Sequence, residues 1–279
     1  MDFEFCNAVR GKRIRVDDSE NLANIFRSTS SAAARFSSAL DDFLEIYPNF
    51  SPAEDSAIDR EVSKRFEIIV YRVAELAEAF ERASKSFPIL TSRKYRESLR
   101  RYRSDHTTHF RDWNLICNKL KHNSNQICPV SASYSSGRFA LGFTLINPKG
   151  YDEFEINRAF HGKTDRSMSY FRALRKIAFD VVKVDASLFK ILSGVDDDAD
   201  CSALNPPPIL FMSDASLMKI ADIPTTPLPN ESKRVNIFTI QNGVVSWSVD
   251  HILEPAEDAR VSIKYVADGI AKTYPIPVY

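Results

Sequence analysis

The chain has 279 residues, of which 44% are hydrophobic, 11% aromatic and 27% charged, a composition that excludes collagen-like, wholly disordered and coiled-coil chains. Lys plus Arg and Asp plus Glu both number 37, so the net charge is zero and a globally basic protein is excluded. Gly is scarce at 8, which argues against folds built on glycine-rich loops, while the length allows one large domain or two smaller ones.

The opening segment, MDFEFCNAVRGKRIRV, lacks the apolar stretch of a signal peptide. No window approaches the roughly 18 apolar residues of a membrane helix, so no membrane contact is expected. Cys6, Cys117, Cys128 and Cys201 have no C-x-x-C spacing, which supports neither a disulfide framework nor zinc. A reduced, cytoplasmic protein without metal or cofactor is the expectation.

From about Ser19 the pattern is helical. Leu22, Ile25, Phe26, Ala33, Phe36, Leu40, Phe43 and Leu44 follow the three-and-four rhythm of an amphipathic helix, with Ser19 as its cap. After a break at YPNFSPAED, where Ser51 and Pro52 read as a cap and first helical position, a second long helix runs on until Pro88 stops it. A third follows Thr91. The period then changes. SASYSS and FALGFTLI alternate around Gly137 and predict a β-hairpin near 131–146, closed by a turn at Asn147-Pro148-Lys149-Gly150. Helix resumes from about Ser167 and ends at Gly194.

The last third reads as strand. PPPILFMSD holds a short apolar run and PTTPLPNESKR reads as an exposed loop. Asn242-Gly243 and Asp268-Gly269 each sit between alternating arms and predict hairpins, with Pro275 and Pro277 confining the final strand to an edge. The predicted fold is therefore α+β. A helical domain with an inserted hairpin occupies 1–195, and a smaller antiparallel, strand-rich region occupies 196–279. Asp185-Ala-Ser-Leu-Phe-Lys-Ile and Asp214-Ala-Ser-Leu-Met-Lys-Ile echo one another. Their Ser-x-x-Lys tetrads lack the companion elements of serine acyl-transfer enzymes and read as capped helical turns. The acidic run from Asp196 to Asp200 lacks the Gly and Glu positions of an EF-hand and reads as a solvated loop.

Zero net charge conceals a split. Residues 85–126 hold ten basic groups against three acidic ones, and residues 195–258 hold eleven acidic groups against three basic ones. Such asymmetry fits either attraction between the two parts or a nucleic-acid surface on the basic one, with Arg93, Arg96, Arg100, Arg103, Lys119 and Lys121 as the phosphate contacts.

On a helical wheel the third helix has one apolar face, which carries His106 and His109 with Tyr102, Trp113 and Ile116. His-Thr-Thr-His therefore reads as a pair of core histidines rather than a metal pair. Opposite lies a polar stripe of Arg111, Asn114, Asn118 and His122. A histidine near neutrality exchanges protons and an arginine grips phosphate, so the stripe is either a metal-independent RNA-cleavage site or the wet side of a surface helix. His161, beside Arg158, reads as structural, and His251 falls in a strand without a role. Walker A, dinucleotide-binding and nucleophile-elbow sequences are absent.

Asn118-Lys-Leu-Lys-His122, at the end of a long basic helix, resembles the HEPN-type helical domains. That resemblance spans about residues 20–195. It implies a bundle of four or five helices, often dimeric, in a group where many members are ribonucleases of toxin–antitoxin or antiviral systems. Asn118 and His122 match the Asn and His of the family motif. The motif's arginine position is Cys117 here, a departure, and Arg111 lies earlier on the same face. Two functions follow as expectations. One is an interaction or nucleic-acid-binding protein, with RNA, a second copy through the helical domain, or a protein docked on the C-terminal sheet as partner. The other is an endoribonuclease in which His122 is the acid/base group, Arg111 the phosphate clamp and Asn118 the orienting residue.

Overall fold

The computed structural model describes residues 19–47, 56–85, 93–122, 125–134, 139–148, 154–161, 167–193, 214–228, 231, 234–241, 244–252, 259–267 and 270–275. The chain is α+β: helices α1 (Ser19–Ile46), α2 (Ser56–Lys85) and α3 (Arg93–His122) precede strands β1 (Gln126–Tyr134), β2 (Phe139–Pro148) and β3 (Phe154–Ile156). A short helix α4 (Arg158–His161) and strand β4 (Met168–Ser169) lead into α5 (Tyr170–Ser193) and α6 (Asp214–Ala221). Strands β5 (Arg234–Gln241), β6 (Val244–Ile252), β7 (Ala259–Ala267) and β8 (Ile270–Pro275) complete the order. No described helix is long and apolar enough to cross a membrane.

The helices form where the apolar rhythm predicts them. In α1, Ala32, Ala33, Phe36, Leu40, Phe43 and Leu44 are buried on one face. α2 buries more of its circumference, from Val62 through Phe66, Ile69, Val70 and Val73 to Phe80 and Ala83. It packs on α1, α3 and β1, so it is the central helix. Where helices meet sheet, Phe66 lies 4.6 Å from Phe143 of β2 and 5.0 Å from Tyr170 of α5, ring centre to ring centre. Phe43 closes the cluster at 5.3 Å from Tyr170. Aromatic contacts of this kind stabilise by about 0.5–1.5 kcal/mol each beyond the area they bury.

Both terminal hairpins form in the predicted register, with Gln241 opposite Val244 and Ala267 opposite Ile270. The middle hairpin is longer than its predicted span, pairing Gln126 with Ile146 through Ser133 with Phe139. Asn147 and Pro148, expected in a turn, instead extend β2 and pair with Glu155 and Phe154 of β3. The large sheet runs β3-β2-β1-β7-β8, with β4 also on β2, while β5 and β6 form a separate ribbon. β7 therefore joins the middle hairpin across residue 195, in one continuous antiparallel sheet. Its ladder on β1 begins at Val130, one residue past Pro129, which has no N–H to give. β8, with Pro275, is an edge strand, as proline requires.

A further local feature departs from the sequence expectation. The loop expected to be exposed buries Leu228 and Glu231. Glu231 accepts backbone N–H bonds from Ser169 at 2.9 Å and Leu228 at 3.1 Å, so its carboxyl repairs the broken edge of β4 rather than facing water. Gly142 is required where β4 crosses β2: a Cβ there would stand 2.7 Å from both Leu228 Cδ1 and Ser169 Cα.

Candidate nucleic-acid interface

α3 carries the residues singled out by the sequence, and its apolar face fixes which side is left to solvent. Tyr102, His106, Phe110, Trp113, Ile116 and Cys117 are buried at three-and-four spacing. The opposite face exposes Arg96, Arg100, Arg103, Ser104, Thr107, Arg111, Asn118, Lys121 and His122. From Arg96 to His122 that row rises about 39 Å at 1.5 Å per residue. None of Arg96, Arg100 and Arg103 is ion-paired with a described residue. Glu97 is the exposed acid of this helix, whereas Asp105 and Asp112 are half-buried. Lys119 is half-buried too, and Lys121 leans its ammonium over Tyr71 of α2, 5.7 Å from the ring centre. The Arg93 side chain lies outside the described residues.

Arg111, Asn114, Asn118 and His122 stand in a row rather than around a point. Arg111 is 78% exposed, with Nε 3.5 Å from Asp112 Oδ1, and Asn114 is half-buried. Asn118 and His122, one turn apart, are neighbours. Arg111 and His122 are separated by about 17 Å of helix rise, too far for both to grip one phosphate within a single copy. His122 bonds no described residue.

The other histidines are held in three different ways. His106 is buried, and its Nε2–H donates to the Ala77 carbonyl of α2 at 2.8 Å. Burial pushes its pKa down, which keeps the ring neutral. His161 accepts the Leu145 N–H at Nε2, 2.8 Å away, and burial lowers its pKa to about 4. It is a neutral acceptor for a strand, matching its structural reading.

His109 turns the other way, to α5. Its Nδ1–H donates to Asp180 Oδ1 at 2.8 Å, while Trp113 Nε1–H (2.9 Å) and Lys176 Nζ (2.8 Å) donate to Asp180 Oδ2. The Asp180 side chain is 3% exposed and that of His109 22%. Phe179 packs edge-on against the imidazole, 5.7 Å between ring centres. A buried carboxylate with three donors joins the two helices here, and sequence reasoning missed it. The signal was present: Asp180 interrupts the apolar stripe of α5 between Ile177 and Val181, and Lys176 precedes it by one turn.

A second buried charge, Arg175, donates from Nη2 to the Ala221 carbonyl at 2.9 Å and so caps the end of α6. Cys117 and Cys128 are buried free thiols, and burial raises the pKa of both. Among the described residues no group of three or more His, Cys, Asp or Glu side chains could hold a metal ion. No protein-family model matches the chain, and neither a curated protein nor a solved structure matches it.

Proposed function

We propose that this protein binds RNA along the exposed face of α3, as part of a HEPN-like helical domain acting in the cytoplasm. The observation that carries the reading is the row of solvent-facing Arg96, Arg100, Arg103 and Arg111, interleaved with Ser104, Thr107 and Asn118. Guanidinium groups at this spacing follow a phosphate backbone, and the hydroxyl and amide groups between them supply hydrogen bonds. Single-stranded RNA suits a lone convex helix better than duplex, because its backbone can bend to the row. The resemblance at Asn118 to His122 adds a toxin–antitoxin or antiviral setting, a second copy through the helical domain, and a protein partner on the C-terminal sheet.

Binding is favoured over cleavage at this stripe. The separation of Arg111 from His122 leaves one copy without a clamp and a base at a common phosphate. An endoribonuclease built on these residues needs a second copy to bring Arg111 of one α3 to His122 of the other.

The test is fluorescence anisotropy of a short single-stranded RNA at several salt concentrations. For wild type, log Kobs falls linearly with log salt. Replacing Arg96, Arg100 and Arg103 together by Ala flattens that slope by about 2, at roughly 0.7 for each phosphate no longer neutralised. A slope that the triple replacement leaves unchanged refutes the assignment.

A further inference from the structure

One open strand edge in this fold lacks the usual protection. Lysine, proline and shortness keep an edge from recruiting other strands. β8 carries Lys272 and Pro275, β3 has three residues and β4 two. β6 is the outer strand of the separate ribbon: β5 packs on α5 and α6, and β6 pairs with no described strand except β5. From Val244 to Val249 it holds neither a charged residue nor a proline.

The order of residues in β6 determines which strand fits it. Val245-Ser246-Trp247-Ser248-Val249 reads the same in both directions about Trp247. When two copies of this strand run antiparallel about a two-fold axis at Trp247, Val245 stands opposite the partner's Val249 and Ser246 opposite the partner's Ser248. Trp247 then stands opposite its own counterpart. Aromatic with aromatic, hydroxyl with hydroxyl and β-branched with β-branched are all favourable cross-strand combinations. The next pair outward would set Val244 against Asp250. The ladder stops short of it, because β6 bulges there: Val249 and Asp250 together stand opposite Asn236, between the Val235–His251 and Ile237–Ser248 pairs. The charge is thereby left outside. Within each ribbon Val245 and Trp247 share a face with Ile240 and Phe238, the residues opposite them in β5. A two-stranded ribbon is marginal by itself, whereas three or more strands with an apolar face hold together.

We propose that a second copy of this chain pairs with β6, antiparallel about Trp247, and joins the two ribbons into one four-stranded sheet in the order β5-β6-β6-β5. The contact is isologous: it uses the same edge of both copies and so closes at two. It lies outside residues 20–195, the stretch that resembles HEPN-type domains, and it is independent of RNA binding along α3.

Sedimentation equilibrium of the full chain over a concentration series tests this. Wild type reaches twice the 31.6 kDa chain mass. Ser246→Lys with Ser248→Lys sets lysine opposite lysine at two positions of the ladder, which raises the dimer Kd by about 100-fold or more. Ser246→Glu with Ser248→Glu does the same with carboxylates. An equimolar mixture of the two variants recovers the dimer, because each lysine now stands opposite a glutamate. Mixing cannot rescue chains that fail to fold, so this recovery separates a lost edge from a lost fold. A wild type that stays at the chain mass at every concentration overturns the proposal. So does a lysine variant that dimerises as tightly as wild type, the outcome expected of a contact through the helical domain. A mixture that remains monomeric overturns the register about Trp247.

Discussion

Asp180→Ala is the most informative single change for stability. The side chain is 3% exposed and accepts from three donors on two helices. Its loss leaves the Trp113 indole N–H, in a residue with no solvent exposure, without its acceptor; an unmet buried donor costs about 1–3 kcal/mol. The Lys176 side chain, 32% exposed, and that of His109, 22% exposed, recover part of their hydration, so their bonds are discounted. The remainder and the cavity bring the total to about 4 kcal/mol, within the range for breaking a buried charge cluster. At an unfolding entropy of about 2.1 cal/mol/K per residue, that lowers the Tm of a chain of this size by about 7 °C. Asp180→Asn keeps one carbonyl oxygen and loses roughly half as much. Thermal melts followed by tryptophan fluorescence read this directly, since Trp113 is itself a donor to the lost carboxylate. A Tm for Asp180→Ala within about 2 °C of wild type refutes the reasoning.

Gly142→Ala forces a methyl group against backbone at Ser169 and the Leu228 side chain, each 2.7 Å from the new carbon. Overpacking of that kind costs about 1–3 kcal/mol, measurable as a lower urea midpoint at unchanged m-value. His161 gives the acid limb of the stability curve. Burial lowers its pKa to about 4 in the folded chain, so between the unfolded value of about 6.5 and that point only the unfolded chain takes up the proton. Stability from this group is full above about pH 6.5 and falls by about 3 kcal/mol as pH drops to about 4, with His106 acting in the same direction. His161→Gln, whose carbonyl can accept the Leu145 N–H, flattens that limb in pH-dependent denaturation; an unaltered limb excludes His161 as its source.

Elements with strong local signals were legible. The helices followed their apolar rhythm, and the pairings of β5 with β6 and of β7 with β8 followed alternating arms that need no distant partner. What local reading cannot supply is which hairpin meets which: nothing between Ala259 and Ala267 announces β1 as its neighbour. The stretch PTTPLPNESKR misled because proline and polar residues usually mark solvent-facing chain, yet Leu228 and Glu231 are drawn inward by an unpaired backbone edge. On α3 the wheel separated the buried histidines from the arginine row. It did not convey that Arg111 and His122, on one face, are distant along the axis. Nor did it pair His109 with a carboxylate 71 residues away, because apolar periodicity treats a polar residue in a buried stripe as noise.

The pairing of Val130 with Ile263 sets an order of events. The hairpin of β1 and β2 is local and closes within microseconds, but the far side of β1 has no mate until residues 259–267 have been made. For that interval the chain carries an open strand edge of five residues, Val130 to Tyr134, beside an apolar core, the kind of edge that recruits other chains. Pro129, which ends the β7 ladder at one side, also limits how far a stray strand can zip along β1. Completion of the sheet thus waits on its last long-range contact, and shortening the chain before residue 259 removes the strand that pairs with the far side of β1.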